Sequence, residues 1–116
     1  MLLLYDGRMS AASSEIVRED RGRVRVLSLN RPPANNLSLA LLVDLRAEID
    51  AAARDSQVRC LVLASCLPKY FAAGLDLDEM LAGADAERGR MFKAMIDVHR
   101  RLAGFGQRLS LVINDN

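Results

Sequence analysis

Residues 58–65, VRCLVLAS, make a short and nearly continuous apolar run with β-branched content, and no other stretch limits the fold as strongly. Such a run predicts a strand over 58–64 covered on both faces, the setting of a parallel sheet. Ahead of it, VRVLSL at 24–29 predicts another buried strand through Val24, Val26, Leu27 and Leu29. Between the two lies a helical pattern. Ser38 is a good N-cap, and Leu41, Leu45, Ile49 and Ala52 then repeat on one face, with Asp44, Arg46, Glu48 and Asp50 on the rest. This helix should end near Arg54 and Asp55. Strand, helix and strand in that order give one right-handed crossover unit of the α/β class.

The remaining elements follow from breakers and caps. Residues 15–18 alternate less cleanly as a further strand, with Arg21 and Gly22 as a hairpin turn before Val24. Arg31, Pro32, Pro33, Ala34 and Asn35 interrupt regular structure, and the two prolines predict a rigid, extended loop at a strand's end. Asp76 can cap a short helix through Leu81, which Gly83 interrupts. Asp85 can cap a longer one in which Met91, Met95, Val98 and Leu102 share a face, with Gly104 and Gly106 expected to close it. Residues 109–113 read as another buried strand. Residues 1–14 are taken as an extension preceding the domain, which spans 15–116.

With 116 residues, half of them apolar, the chain can build one small core. A formal net charge of +1 and only five aromatics, Tyr5, Tyr70, Phe71, Phe92 and Phe105, give no basic stripe with interleaved rings, so nucleic acid is not an expected partner. The apolar runs fall far short of the ~20 residues of a membrane span, so membrane insertion is not expected either. Cys60 and Cys66 stand at the two ends of one predicted strand, too far apart for a disulfide. With a single His, a zinc site is poorly supported and no metal is expected. Reduced thiols point to an intracellular protein. The opening MLLLYDGRMS is too short in its apolar stretch for a signal peptide.

The chemistry centres on residues 71–80, FAAGLDLDEM. A turn around Gly74 joins the apolar strand to a helix start. Glycine there permits backbone conformations closed to other residues and lets a ligand lie against the chain. The NH of Leu75, at the positive end of the following helix, suits a developing negative charge and would be half of an oxyanion hole. An ordinary strand-to-helix loop explains the same residues, and the local pattern alone favours it.

Other candidates carry less. His99 lies one step from the apolar face of the last helix, with no nucleophile or carboxylate assigned to it, so a boundary histidine explains it best. Asp76, Asp78 and Glu79 are explained by capping before catalysis. Met91, Met95 and Phe92 could line an acyl surface, but helical spacing makes them core first. Residues 32–36 could offer backbone groups to a flat ligand such as an adenine.

Four segments in order, LSLNRPPANNLSLALLVDL, VRCLVLAS, FAAGLDLDEM and LSLVIN, resemble the crotonase superfamily of enoyl-CoA hydratases and isomerases over about residues 24–114. The wording of PPANNLSLALL and AGLDLDEM is most similar to the mitochondrial type of 3,2-trans-enoyl-CoA isomerase, also called dodecenoyl-CoA isomerase. The resemblance implies a crotonase (ClpP-like) ββα superhelix, here incomplete. It implies an acyl-CoA thioester as substrate with no separate cofactor. The Leu75 NH would be the first of two donors to the thioester enolate. Ala34, Ala73, Gly74, Leu75, Asp76 and Leu77 would border the CoA moiety.

In that family a glycine pair after the last strand gives the second donor, and the catalytic Glu lies further on. This chain instead has Asn114, Asp115 and Asn116 after its last strand, and no Glu matches the catalytic position. The expectation is therefore the N-terminal portion of an isomerase of fatty-acid β-oxidation, inactive alone. Two alternatives stay open: an enoyl-CoA hydratase, and a non-catalytic fragment that binds acyl-CoA or pairs with another subunit. By resemblance the compartment would be the mitochondrial matrix, or a bacterial cytoplasm, and the assembly a homotrimer.

Overall fold

A computed structural model describes residues 9–13, 15–108 and 110–113. The elements are β1 (Met9–Ser13), β2 (Ile16–Arg21), β3 (Val24–Leu29), β4 (Asn36–Leu37), α1 (Leu39–Arg54), β5 (Cys60–Ser65), β6 (Gly74–Leu75), α2 (Leu77–Ala82), α3 (Asp85–Arg108) and β7 (Ser110–Ile113). A five-stranded sheet has the order β1-β2-β3-β5-β7, and β4 and β6 form a separate two-stranded sheet. The β1/β2 and β2/β3 pairs are antiparallel, while β3/β5 and β5/β7 are parallel. The crossover β3-α1-β5 is the unit expected from the sequence. Within the stretch read as an extension, residues 9–13 pair with β2.

One face of the sheet carries the core. Leu27 and Leu29 of β3 and Leu61 and Leu63 of β5 pack with Leu41, Leu42, Leu45 and Ile49 of α1 and with Ala94, Val98 and Phe105 of α3. The apolar run is not covered on both faces, contrary to expectation. In β5 the residues alternate, with Leu61 and Leu63 buried and Cys60, Val62 and Ala64 only partly so, because both long helices lie on the same side. The strand also starts at Cys60, and Val58 is buried ahead of it, in the segment after α1.

Two further boundaries differ. The hairpin turn is Gly22 and Arg23, because Arg21 pairs with Val24 and Gly22 takes the positive φ of 59°. Gly104 and Gly106 do not close α3, which runs through both to Arg108. Phe105 between them is only 2 % exposed, and its burial, worth ~1.5–3 kcal/mol, offsets the ~1 kcal/mol that a helix-interior glycine costs. The strand expected over 109–113 is β7, with Leu109 outside the described residues.

Caps and ion pairs set the element ends. The Leu41 NH donates to the Ser38 hydroxyl at 3.1 Å, the cap predicted for α1. At its other end Arg25, buried at the start of β3, donates to Asp20 at 2.8 and 3.1 Å and to Asp55 at 3.0 Å. This joins the hairpin to the end of α1, and the hydrogen bond to Asp20 raises the Arg25 pKa further. Cys60 and Cys66 are free thiols, and burial pushes the Cys66 thiol up.

Candidate functional site

Two loops leave the same end of the parallel strands. Residues 30–35 follow β3 and residues 66–73 follow β5, and they converge in the short β4/β6 pair. The register places Asn36 opposite Gly74 and Leu37 opposite Leu75. With two residues on each side, the pair is too short to show any periodicity in the sequence, and side chains around it hold it closed.

Asn35 is the first of these. It is fully buried and takes a φ of 56°, which Asn tolerates better than most residues. Its amide nitrogen donates to the Ser65 hydroxyl at 2.8 Å and to the Phe71 carbonyl at 2.7 Å, while its amide oxygen accepts from the Arg31 NH at 2.7 Å. The Asn35 NH donates to the Arg31 carbonyl at 2.8 Å. The segment expected to be extended is therefore a closed turn, and one side chain bonds it to both the end of β5 and the loop beyond.

Arg31 is the second. Its Nε donates to Glu15 at 3.0 Å, and its Nη1 donates to the Asn36 carbonyl at 2.7 Å and to Asp76 Oδ2 at 2.9 Å. Asp76 also accepts the Glu79 NH on Oδ1 at 3.1 Å, which is the predicted cap of α2. That backbone bond, followed by the Arg31 contact, holds the Asp76 carboxyl below the usual carboxylate range. Neither Arg31 nor Asn35 stood out in the sequence. The available signals were an Asn in a proline-broken turn and an Arg directly after a buried strand.

The backbone at Gly74 bears out the expected conformation, with φ at 110°. A Cβ built there would meet nothing within 4 Å, so the conformation, and not crowding, calls for glycine. Ala73 donates its NH to the Ala34 carbonyl at 3.0 Å, and Asp76 donates its NH to the Leu37 carbonyl at 3.0 Å. With Leu37 opposite Leu75, the parallel ladder pairs that second bond with the Leu37 NH on the Gly74 carbonyl. A trans peptide points its NH opposite to its carbonyl, so the Leu75 NH faces away from β4. The following helix α2 is only six residues long, so it is the ladder that aims this donor.

Two hollows flank the β4/β6 pair. One, of about 210 Å³, is lined by Asn36, Ala73, Leu75, Asp76, Leu77 and Asp78. Four of the six residues singled out from the sequence thus meet there, Gly74 lies between two of them, and Ala34 joins through its bond to Ala73. The other, of about 180 Å³, is apolar, and Leu37, Phe71, Ala72, Met95 and His99 are among its lining residues. Met91 is buried elsewhere in the core and Phe92 is half exposed. His99 donates from Nδ1 to the Met95 carbonyl at 2.8 Å, which leaves Nε2 as the nitrogen without a proton in the neutral ring. Among the described residues no three His, Cys, Asp or Glu side chains group as a metal site, and no helix is long and apolar enough to cross a membrane.

Known proteins share this sequence pattern and fold. The model of the Enoyl-CoA hydratase/isomerase family matches residues 19–105. The mitochondrial enoyl-CoA delta isomerase 1 of Homo sapiens is 34% identical over 99 residues, covering 84% of this chain and 33% of that protein. The 2,3-dehydroadipyl-CoA hydratase of Escherichia coli strain K12 is 44% identical over 68 residues, covering 58% of this chain and 26% of its own length. The crystal structure of human mitochondrial delta3-delta2-enoyl-CoA isomerase superposes with a TM-score of 0.78 and 31% identity, covering 86% of this chain and 39% of that one. The chain spans about a third of the length of the curated relatives it matches. Parallel strands whose two loops meet at a positive-φ glycine, carried on a sequence that the family model matches over most of its length, make this chain a member of the enoyl-CoA hydratase/isomerase family with the crotonase fold.

Proposed function

We propose that this chain carries the acyl-CoA-binding and enolate-stabilising part of an enoyl-CoA isomerase, with the Leu75 NH as one donor to the thioester oxygen. The observation that supports it is the direction of that NH, turned away from β4 beside a glycine whose open side leaves room for a ligand. Removing a proton from the α carbon of a 3-enoyl thioester moves charge onto the carbonyl oxygen. A donor already held in place stabilises that charge by ~2.7–4 kcal/mol. Returning the proton to the γ carbon shifts the double bond into conjugation with the thioester, as the 2-trans product. The backbone of Ala34, Ala73, Gly74, Asp76 and Leu77 borders the CoA moiety.

The proton transfer needs a free carboxylate base. Asp76 is held by Arg31 and the Glu79 NH, and Glu79 accepts the Leu39 NH at 3.3 Å. Asp78 is exposed at the edge of the polar hollow. No Asp or Glu lines the apolar hollow beside β4, and on this reading the 116-residue chain alone is inactive or nearly so as an isomerase. Incubation with a 3-enoyl-CoA, following the conjugated thioester by absorbance, tests this, and turnover at an ordinary enzyme rate overturns it.

A hydratase is the second reading, supported by the 44% identity to a bacterial hydratase over 68 residues. Hydration needs two carboxylates where isomerisation needs one, which is the chemical difference between the two readings.

A further inference from the structure

We propose that Arg31 is a positioning residue for the Leu75 NH, acting through Asn36 and Asp76. This rests on the reading of Leu75 as an enolate donor. A single nitrogen, Nη1, bonds the Asn36 carbonyl at 2.7 Å and Asp76 Oδ2 at 2.9 Å. Asn36 is the register partner of Gly74, and Asp76 directly follows Leu75. One guanidinium group therefore ties β4, at the residue opposite Gly74, to the residue that directly follows the donor.

The same group is tied to the main sheet. Nε reaches Glu15, which directly precedes β2, and the Arg31 NH bonds Asn35, itself held by Ser65 at the end of β5. Asp76 divides its carboxylate between Arg31 and the Glu79 NH. Asp76, the residue directly after the Gly74–Leu75 peptide that carries the donor, is thus fixed relative to β2 and β5 by contacts that a two-residue ladder does not supply. This matters for chemistry because a donor stabilises an oxyanion only when its direction is fixed beforehand, with tolerances of ~0.5 Å. A planar fork is required. Lysine has one nitrogen and cannot reach Glu15 while holding the Asn36 and Asp76 oxygens.

The test uses the 116-residue chain and its Arg31→Gln, Arg31→Lys and Asp76→Asn variants. Asp76→Asn keeps a good N-cap while losing the charged partner, so it probes the clamp even if Arg31→Gln folds poorly. Three ligands are compared: a saturated acyl-CoA thioester labelled with ¹³C at its carbonyl, the thioether analogue with CH₂ in place of that carbonyl, and free CoA. Wild type should prefer thioester over thioether and move the carbonyl resonance downfield. Arg31→Gln and Asp76→Asn should lower the preference about fivefold, the worth of one net hydrogen bond, and lose the carbonyl shift. Free CoA should bind wild type and the two Arg31 variants equally, and Arg31→Lys should not restore the preference.

Variants that lose only thermal stability while keeping the preference and the shift overturn the proposal. Loss of free CoA binding in Arg31→Gln overturns it as well, by making Arg31 a phosphate ligand. A wild-type chain that does not distinguish thioester from thioether overturns the enolate-donor reading itself. Hydrogen exchange at the Asp76 amide, which donates to the Leu37 carbonyl, then decides the clamp separately in the ligand-free chain. Faster exchange at Asp76 in Arg31→Gln than in wild type, with Leu27 in the core unchanged, supports it, and equal exchange refutes it.

Discussion

The amide of Asp76 and the carbonyl of Leu37 meet at 3.0 Å, and this bond sets the phase of the β4/β6 pair so that the Leu75 NH faces away from β4. Among the described residues the β4/β6 ladder leaves that NH unbonded, as its proposed role toward an enolate oxygen needs. The consequences can be measured one residue at a time.

Gly74 has a φ of 110° with open space where a Cβ would stand. Gly74→Ala should therefore destabilise the chain by about 1–3 kcal/mol through backbone strain alone. Urea unfolding checks this. Gly74→Val should in addition weaken acyl-CoA binding, measured by calorimetry, because a branched side chain fills the open side.

Asn35 is fully buried and bonds Ser65, Phe71 and Arg31. Asn35→Ala should cost at least about 2 kcal/mol, since it leaves buried partners unsatisfied and puts alanine at a positive φ. Denaturant unfolding gives the number. A change below about 0.5 kcal/mol, the scatter of ordinary surface substitutions, would contradict the role assigned to it.

Asp76 sits below its ordinary carboxylate value because of the Glu79 NH and Arg31. A carboxylate with a folded-state pKa below its unfolded one adds stability above the unfolded pKa of ~3.9 and loses it as pH falls through the folded value. Wild type should thus lose stability between pH ~5 and the folded pKa more steeply than Asp76→Asn, which lacks the titrating group. Unfolding curves from neutral to acid pH compare the two, and parallel curves would count against the contribution.

Gly104 lies inside α3, and a Cβ at that position would meet nothing within 4 Å. Gly104→Ala should stabilise the chain by about 0.5–1 kcal/mol, read from the midpoint of thermal unfolding. Destabilisation would mean that the helix ends there.

The crossover β3-α1-β5 was legible because Ser38 caps α1 and the 3.6-residue face of Leu41, Leu45, Ile49 and Ala52 is intact. Asp76 and Gly74 were legible for the same local reason, a cap and a turn residue that need no knowledge of distant contacts. Arg31 and Asn35 were not. Their partners, Asp76 and Phe71, lie 45 and 36 residues away, and only the meeting of two loops shows what they hold. The one-sided burial of β5 was hidden because Val62 and Leu63 are equally apolar, so the pattern does not say on which side both helices lie. At the end of α3, burial of Phe105 outweighed two helix-weakening glycines.

Replacing the Leu75 NH with an ester oxygen, by incorporating the α-hydroxy analogue of leucine at that position, removes the proposed donor and also weakens the Gly74 carbonyl as the acceptor of the Leu37 NH. At a temperature where the ester form stays folded, the preference for a thioester over its thioether should fall about fivefold. An unchanged preference in the folded ester form would contradict the account.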